Sequence, residues 1–117
     1  MHTPEERARF GLLFDFYGEL LSERQRDMVD YYYNEDLSLS EIAAIVGITR
    51  QGVRDGIKKS EALLVHYEQT LGLVARFRRT DEKLRDILET IGARYPTDTS
   101  LAALIATATT LLDRPEA

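Results

Sequence analysis

The sequence predicts an all-α fold built around a helix-turn-helix, and three observations carry that prediction. Apolar residues recur at helical spacing in stretch after stretch, and nowhere alternate as a half-buried strand would. Capping boxes open two of these stretches, Ser22 with Gln25 and Ser38 with Glu41. Between Leu39 and Glu61, LSEIAAIVGITRQGVRDGIKKSE reads as a short helix, a glycine turn and a second helix with a basic face.

The first element spans Glu5 to Leu21, where Phe10, Leu13, Phe14, Tyr17, Leu20 and Leu21 share one helical face. This aromatic stripe is expected to be core, although Gly11 and Gly18 weaken the helix by about 1 kcal/mol each relative to alanine. The Ser22 box opens a second helix running to about Tyr33, with Met28, Val29 and the three tyrosines Tyr31 to Tyr33 as its apolar surface. Successive residues are about 100° apart on a helix, so at least one tyrosine is expected to be exposed. Asn34, Glu35 and Asp36 form a polar turn.

The helix-turn-helix follows. Ile42, Ala43 and Val46 line its first helix, and Ala44 is small enough for close helix contact. Gly47 is placed to end that helix in a left-handed conformation, and Thr49 to cap the next. Val53 and Ile57 anchor the second helix one turn apart, which leaves Arg50, Gln51, Arg54, Lys58 and Lys59 exposed. Early residues of the second helix are those that meet base edges in DNA-binding helix-turn-helix proteins. These five are the candidate contacts to nucleic acid or another partner.

The pattern continues past Ile57. Val53, Ile57, Ser60, Leu64, Tyr67, Leu71 and Val74 repeat as a heptad seam, expected to pack on the C-terminal helices or on a second copy of the chain. Gly72 marks a kink or an end. Arg76, Arg78 and Arg79 form a secondary basic cluster near the far end, where cations complement the helix dipole or contact phosphates. Thr80 is placed to cap a further helix carrying Leu84, Ile87, Leu88 and Ile91, and Pro96 breaks it. A last amphipathic helix from about Asp98 to Asp113 carries Leu101, Leu104, Ile105, Ala108, Leu111 and Leu112. The organisation expected is one helical domain over 1–117, with a helix-turn-helix core at 22–68 and a helical extension at 69–117.

Composition narrows the function. With 117 residues, 44% of them hydrophobic, the chain can bury a core. It has no cysteine, so disulfides, thiolate metal sites and thiol nucleophiles are excluded. His2 and His66 are far apart and read as an exposed terminus and a helix surface, so no metal, cofactor or catalytic site is expected. The charged start MHTPEERARF is unlike a secretory leader, and no apolar run is long enough to span a bilayer, which points to a cytoplasmic protein. The net charge is −5, yet residues 49–79 carry seven Lys/Arg against three Asp/Glu. The flanking stretches are both acidic. A basic segment confined to the second helix and its continuation is what a nucleic-acid-binding module requires.

ERQRDMVDYYYNEDLSLSEIA, Glu23 to Ala43, resembles the DNA-binding region four of bacterial sigma factors, and Gly47-Ile48 with Arg50-x-x-Val53-Arg54 extends the likeness. Over the whole chain the closer resemblance is to the YlxM family, carried by LLFDFYGELL, LSLSEIA and TRQGVRDGIKKSEALLVHYE. It implies a winged-helix-like helix-turn-helix without a wing, with an extra N-terminal helix, a long recognition-helix continuation and C-terminal helices. Gly52, Arg54 and Gly56 depart from that family, which usually has a small non-glycine residue, an aromatic and a polar residue there. The resemblance further implies an accessory factor of the signal recognition particle that contacts the particle RNA, its GTPase subunit or both. A duplex-DNA-binding transcription regulator is the alternative. The heptad seam and the surplus of amphipathic helices lead to the expectation of a homodimer.

Overall fold

The computed structural model describes residues 2–113 and contains six α-helices: α1 (Pro4–Tyr17), α2 (Glu23–Tyr33), α3 (Leu39–Val46), α4 (Arg50–Leu71), α5 (Leu73–Arg94) and α6 (Thr99–Asp113). A 3-10 turn, Gly18–Leu20, follows α1, and no strand occurs among the described residues. The helices fall into two compact units, Met1–Val74 and Ala75–Ala117.

Local chemistry sets the helix starts of the first unit. Thr3, Ser22 and Ser38 each accept a hydrogen bond from the amide three residues on, and Glu6, Gln25 and Glu41 return one to the cap amide. Thr49 caps α4 by accepting from the Gly52 amide at 2.9 Å. Gly47 and Gly72 end α3 and α4 with φ of +77° and +64°, conformations in which a Cβ is strained.

α4 packs against α1, α2 and α3 and supplies both halves of the core. Leu64 joins Leu13, Tyr17, Leu21, Val29 and Val74 in one cluster. Val53 and Ile57 join Met28, Tyr32 and Ile42 in the other. The stretch of the heptad seam from Val53 to Leu64 is therefore covered from within the chain, by the N-terminal helices rather than by the expected partners. Val53, Ile57, Ser60 and Leu64 are all completely buried, whereas Leu71 is half exposed beside the helix end. Leu20 is also half exposed, because α1 stops at Tyr17 and the 3-10 turn carries Leu20 off the helical face.

Two polar sets close the first unit. The Tyr17 hydroxyl donates to Glu68 Oε1 at 2.6 Å and accepts from the Leu73 amide at 3.0 Å. The Val74 amide donates to the same Glu68 oxygen at 3.0 Å. Side chains of α1 and α4 thus satisfy the first free amides of α5, and burial followed by the Glu68 carboxylate raises the Tyr17 pKa above the ordinary phenol range. At the other end, Tyr33 donates to the buried Glu61, and His2 Nε2 lies 3.0 Å from the same carboxylate. His2 Nδ1 lies 3.1 Å from the Tyr32 hydroxyl. Far from being an exposed terminus, the His2 side chain is nine-tenths buried among Phe10, Tyr32 and Tyr33. None of Tyr31, Tyr32 and Tyr33 is fully exposed: the N-terminal residues cover Tyr32 and Tyr33, with the Arg7 guanidinium 4.7 Å above the Tyr32 ring, and Tyr31 packs against the cluster around Ile42 and Val53.

The C-terminal part corrects two expectations. α5 runs unbroken from Leu73 to Arg94, so Thr80 caps nothing; its amide lies inside a helix. Arg76, Arg78 and Arg79 consequently sit in the first two turns of α5 rather than at the end of α4, and gain nothing from a helix C-terminus. In the second unit, α5 ends before Pro96, and Asp98 caps α6 by accepting from the Leu101 amide at 2.9 Å. Arg85 bonds to Asp81 at 2.9 Å and reaches across to Asp113 at 2.7 Å. No residue of α6 is buried, and Leu84, Ile87, Leu104 and Leu111 are exposed.

Tyr17→Phe tests the joint between α4 and α5. It removes a donor to Glu68 and an acceptor for the Leu73 amide at a site 1% exposed, so a loss of about 1–3 kcal/mol is expected in urea unfolding. A loss well below that range would mean that other groups already satisfy this carboxylate and amide.

Candidate nucleic-acid interface

A helix-turn-helix presents its second helix only if the first is held beneath it, and three features do so here. Ile42 of α3 is completely buried against α4, with Ala43 and Val46 half-buried beside it. Ala44 faces outward and makes no such contact. The Gly47 and Ile48 amides both donate to the Ala43 carbonyl, at 2.9 and 3.3 Å, which closes α3 tightly. Thr49 then starts α4 in a new direction.

All five candidate residues, Arg50, Gln51, Arg54, Lys58 and Lys59, are exposed on α4. None of the four cations forms an ion pair among the described residues, so each is available to a ligand. Their placement around the helix differs. With successive residues about 100° apart, Arg50 and Arg54 flank the buried seam, whereas Gln51, Lys58 and Lys59 lie toward the outer side. Gln51 is not free: its amide Nε2 donates to Asp55 Oδ1 at 2.9 Å. Asp55, an acidic residue among these basic positions, is exposed and points almost directly away from Val53, Ile57, Ser60 and Leu64.

The first turn of α4 adds to this electrostatics. It contains no acidic residue, so the positive end of the helix dipole and the free amides beyond Thr49 reinforce Arg50. The open cleft between α2 and α3 is lined by Glu23, Arg24, Asp27, Tyr31, Ile45 and Val46, and its two carboxylates make it a poor site for a polyanion. Arg76, Arg78 and Arg79 are exposed too, but they belong to the second unit. Among the described residues, no three His, Asp or Glu side chains converge as a metal site requires. No helix there is long and apolar enough to cross a membrane.

The family described as UPF0122, "Putative helix-turn-helix protein, YlxM / p13 like", matches residues 4–106. This chain belongs to that family. The YlxM/p13-like relatives include a UPF0122 protein of Clostridium kluyveri, 47% identical over 91 residues, 78% of this chain and 82% of the relative. GK1195 of Geobacillus kaustophilus is 40% identical over 101 residues, covering 86% of this chain and 92% of that protein. BH2485 of Halalkalibacterium halodurans is 40% identical over 107 residues, covering 92% and 97%. The YlxM/p13-like match begins at the first turn of α1 and extends into α6, so both units fall within the family and the fold is its helix-turn-helix. Its description is that of a helix-turn-helix protein and names no enzymatic activity.

Thr49→Ala removes the cap that begins α4. The expected result is a loss of about 1 kcal/mol and faster exchange of the Gly52 amide, which the Thr49 hydroxyl holds, measured by hydrogen exchange with NMR detection. Unchanged exchange at Gly52 would show that α3 packing, and not the cap, holds the presented turn.

Proposed function

We propose that this YlxM/p13-like protein is an accessory factor of the signal recognition particle and binds the particle RNA through the outer side and first turns of α4. One observation carries the reading. In a chain of net charge −5, the second helix of the helix-turn-helix presents four cations without intramolecular partners. A polyanion gains from such a helix by counterion release, and the resemblance to the YlxM family supplies the particle. The GTPase subunit is a second expected contact at the particle. Function as a cytoplasmic regulator without catalytic chemistry is in keeping with this reading.

The alternative is a regulator that binds duplex DNA. It takes Gln51 and Arg54, early in the second helix, as candidate base readers in the major groove, with Lys58 and Lys59 as phosphate contacts. A titration against particle RNA, the GTPase subunit and a random duplex, each at two salt concentrations, separates the readings. The Arg50→Glu plus Arg54→Glu variant is expected to fold normally and to bind RNA with a salt dependence shallower by about 1.4 log units per decade, as the loss of two strand-phosphate contacts requires. Saturable binding to the duplex alone would select the transcription regulator.

We further infer a homodimer formed through the second unit. Leu84, Ile87, Leu104 and Leu111 are between 42% and 67% exposed on α5 and α6, and between Asp98 and Asp113 α6 has no charged side chain. A helix apolar on most of its circumference is ordinarily covered. Sedimentation at micromolar concentration is expected to give a dimer, and Leu104→Glu with Leu111→Glu a monomer. A monomeric wild type would refute this.

A further inference from the structure

Asp55 is the feature that a simple basic surface does not explain. It points almost directly away from the buried seam of α4, so a body laid against the outer side of this helix meets it early. Gln51 lies one turn before it, and Lys58 and Lys59 one turn after. A carboxylate in that position repels phosphate and reduces the benefit of its basic neighbours. It is also not neutralised. Lys59 stands four residues C-terminal, the arrangement favoured for an intrahelical ion pair, yet Asp55 forms no ion pair among the described residues. It instead accepts from the neutral Gln51 amide at 2.9 Å.

That bond has a chemical consequence. Donation by Gln51 Nε2 occupies Asp55 Oδ1 and fixes the carboxylate along the helix, leaving Oδ2 to accept from outside. The Gln51 amide oxygen remains as a second acceptor beside it. The middle of the outer face is thus an acceptor pair with Lys58 and Lys59 one turn beyond it. Phosphate oxygens are acceptors and find no partner in such a pair. On nucleic acids the matching neutral donors are the exocyclic amino groups of the bases, the groups that carboxylates recognise on cytosine.

We propose that Asp55, held by Gln51, is the specificity-determining residue of this face and accepts a hydrogen bond from the exocyclic amino group of an RNA base. The cations bind the strand around it; Asp55 decides which strand. This rests on the reading of α4 as a nucleic-acid-binding helix.

The test is fluorescence anisotropy of the full chain with short oligocytidine, oligoadenosine and oligouridine RNAs, and with a random duplex DNA in parallel. Uracil has no exocyclic amino group. The wild type is expected to prefer the amino-bearing strands over oligouridine by about tenfold. Asp55→Asn is nearly isosteric and its side-chain oxygen can still accept from Gln51, so the helix is retained; circular dichroism confirms this. Its new amide donor suits uracil O4, and the preference is expected to disappear or invert while oligouridine binding rises severalfold. Gln51→Ala, which releases the carboxylate, is expected to lower the preference without inverting it. If Asp55→Asn strengthens binding to all three RNAs equally, Asp55 is only a repulsive charge and the proposal fails. An unchanged preference also overturns it. Selection of an amino-bearing position in the duplex alone would assign the contact to DNA and refute the RNA form. If the wild type binds none of these nucleic acids, the nucleic-acid reading of α4 itself fails, an outcome distinct from the loss of selectivity.

Discussion

The burial of one face of α4 is the constraint on which the first unit depends. Val53, Ile57, Ser60 and Leu64 are completely inaccessible, and the two apolar clusters meet along them. Each of the large apolar side chains contributes about 1.5–3 kcal/mol by leaving water. Ser60 adds no cost as a buried hydroxyl, because it donates to the Gly56 carbonyl at 2.8 Å. With one face so engaged on three helices, α4 has a fixed rotation about its axis. The opposite face is then presented as a consequence.

One buried carboxylate, Glu61, and one half-buried carboxylate, Glu68, bracket this seam, and both are paired with tyrosines. Glu61 accepts from Tyr33 and faces His2; Glu68 accepts from Tyr17 and from the start of α5. An unpaired charge at either position would be costly, so the pairs fix which residues of α1 and α2 must lie beside α4. Directional hydrogen bonds thereby select one packing among those the apolar seam allows. Burial and then the adjacent carboxylate push both the Tyr17 and the Tyr33 hydroxyls above the ordinary phenol range, so each remains a donor at neutral pH.

The outer side of α4 follows different rules. Its side chains have few intramolecular obligations, which is the condition for a binding surface. Cations there are free, Gln51 and Asp55 hold each other, and the acceptor they present sits where a counted list of basic residues would not place it. Net charge and even local charge are thus coarse guides. What a helix offers a ligand depends on which angular sector each charge occupies.

Much of the local structure was legible in the sequence. The Ser22, Ser38 and Thr49 caps, the left-handed Gly47, the interruption at Gly72 and the break before Pro96 are decided within a few residues, by sterics and by side chains that reach their own backbone. Membership of the helix-turn-helix family followed from the same short stretches. The partners of those stretches did not. The heptad seam required that its apolar side chains be covered, but hydrophobic burial has no direction, and only the tertiary structure assigned the cover to α1, α2 and α3. Thr80 remained inside α5 because its amide is used by the helix, and His2 was drawn under Phe10 and Tyr33 because a carboxylate on α4, distant in sequence, needed a partner. The sequence determined the capped helix starts and the glycine and proline stops; how far α1 and α5 run, which surfaces meet, and which are left for a ligand, was decided by long-range packing that no local signal encodes.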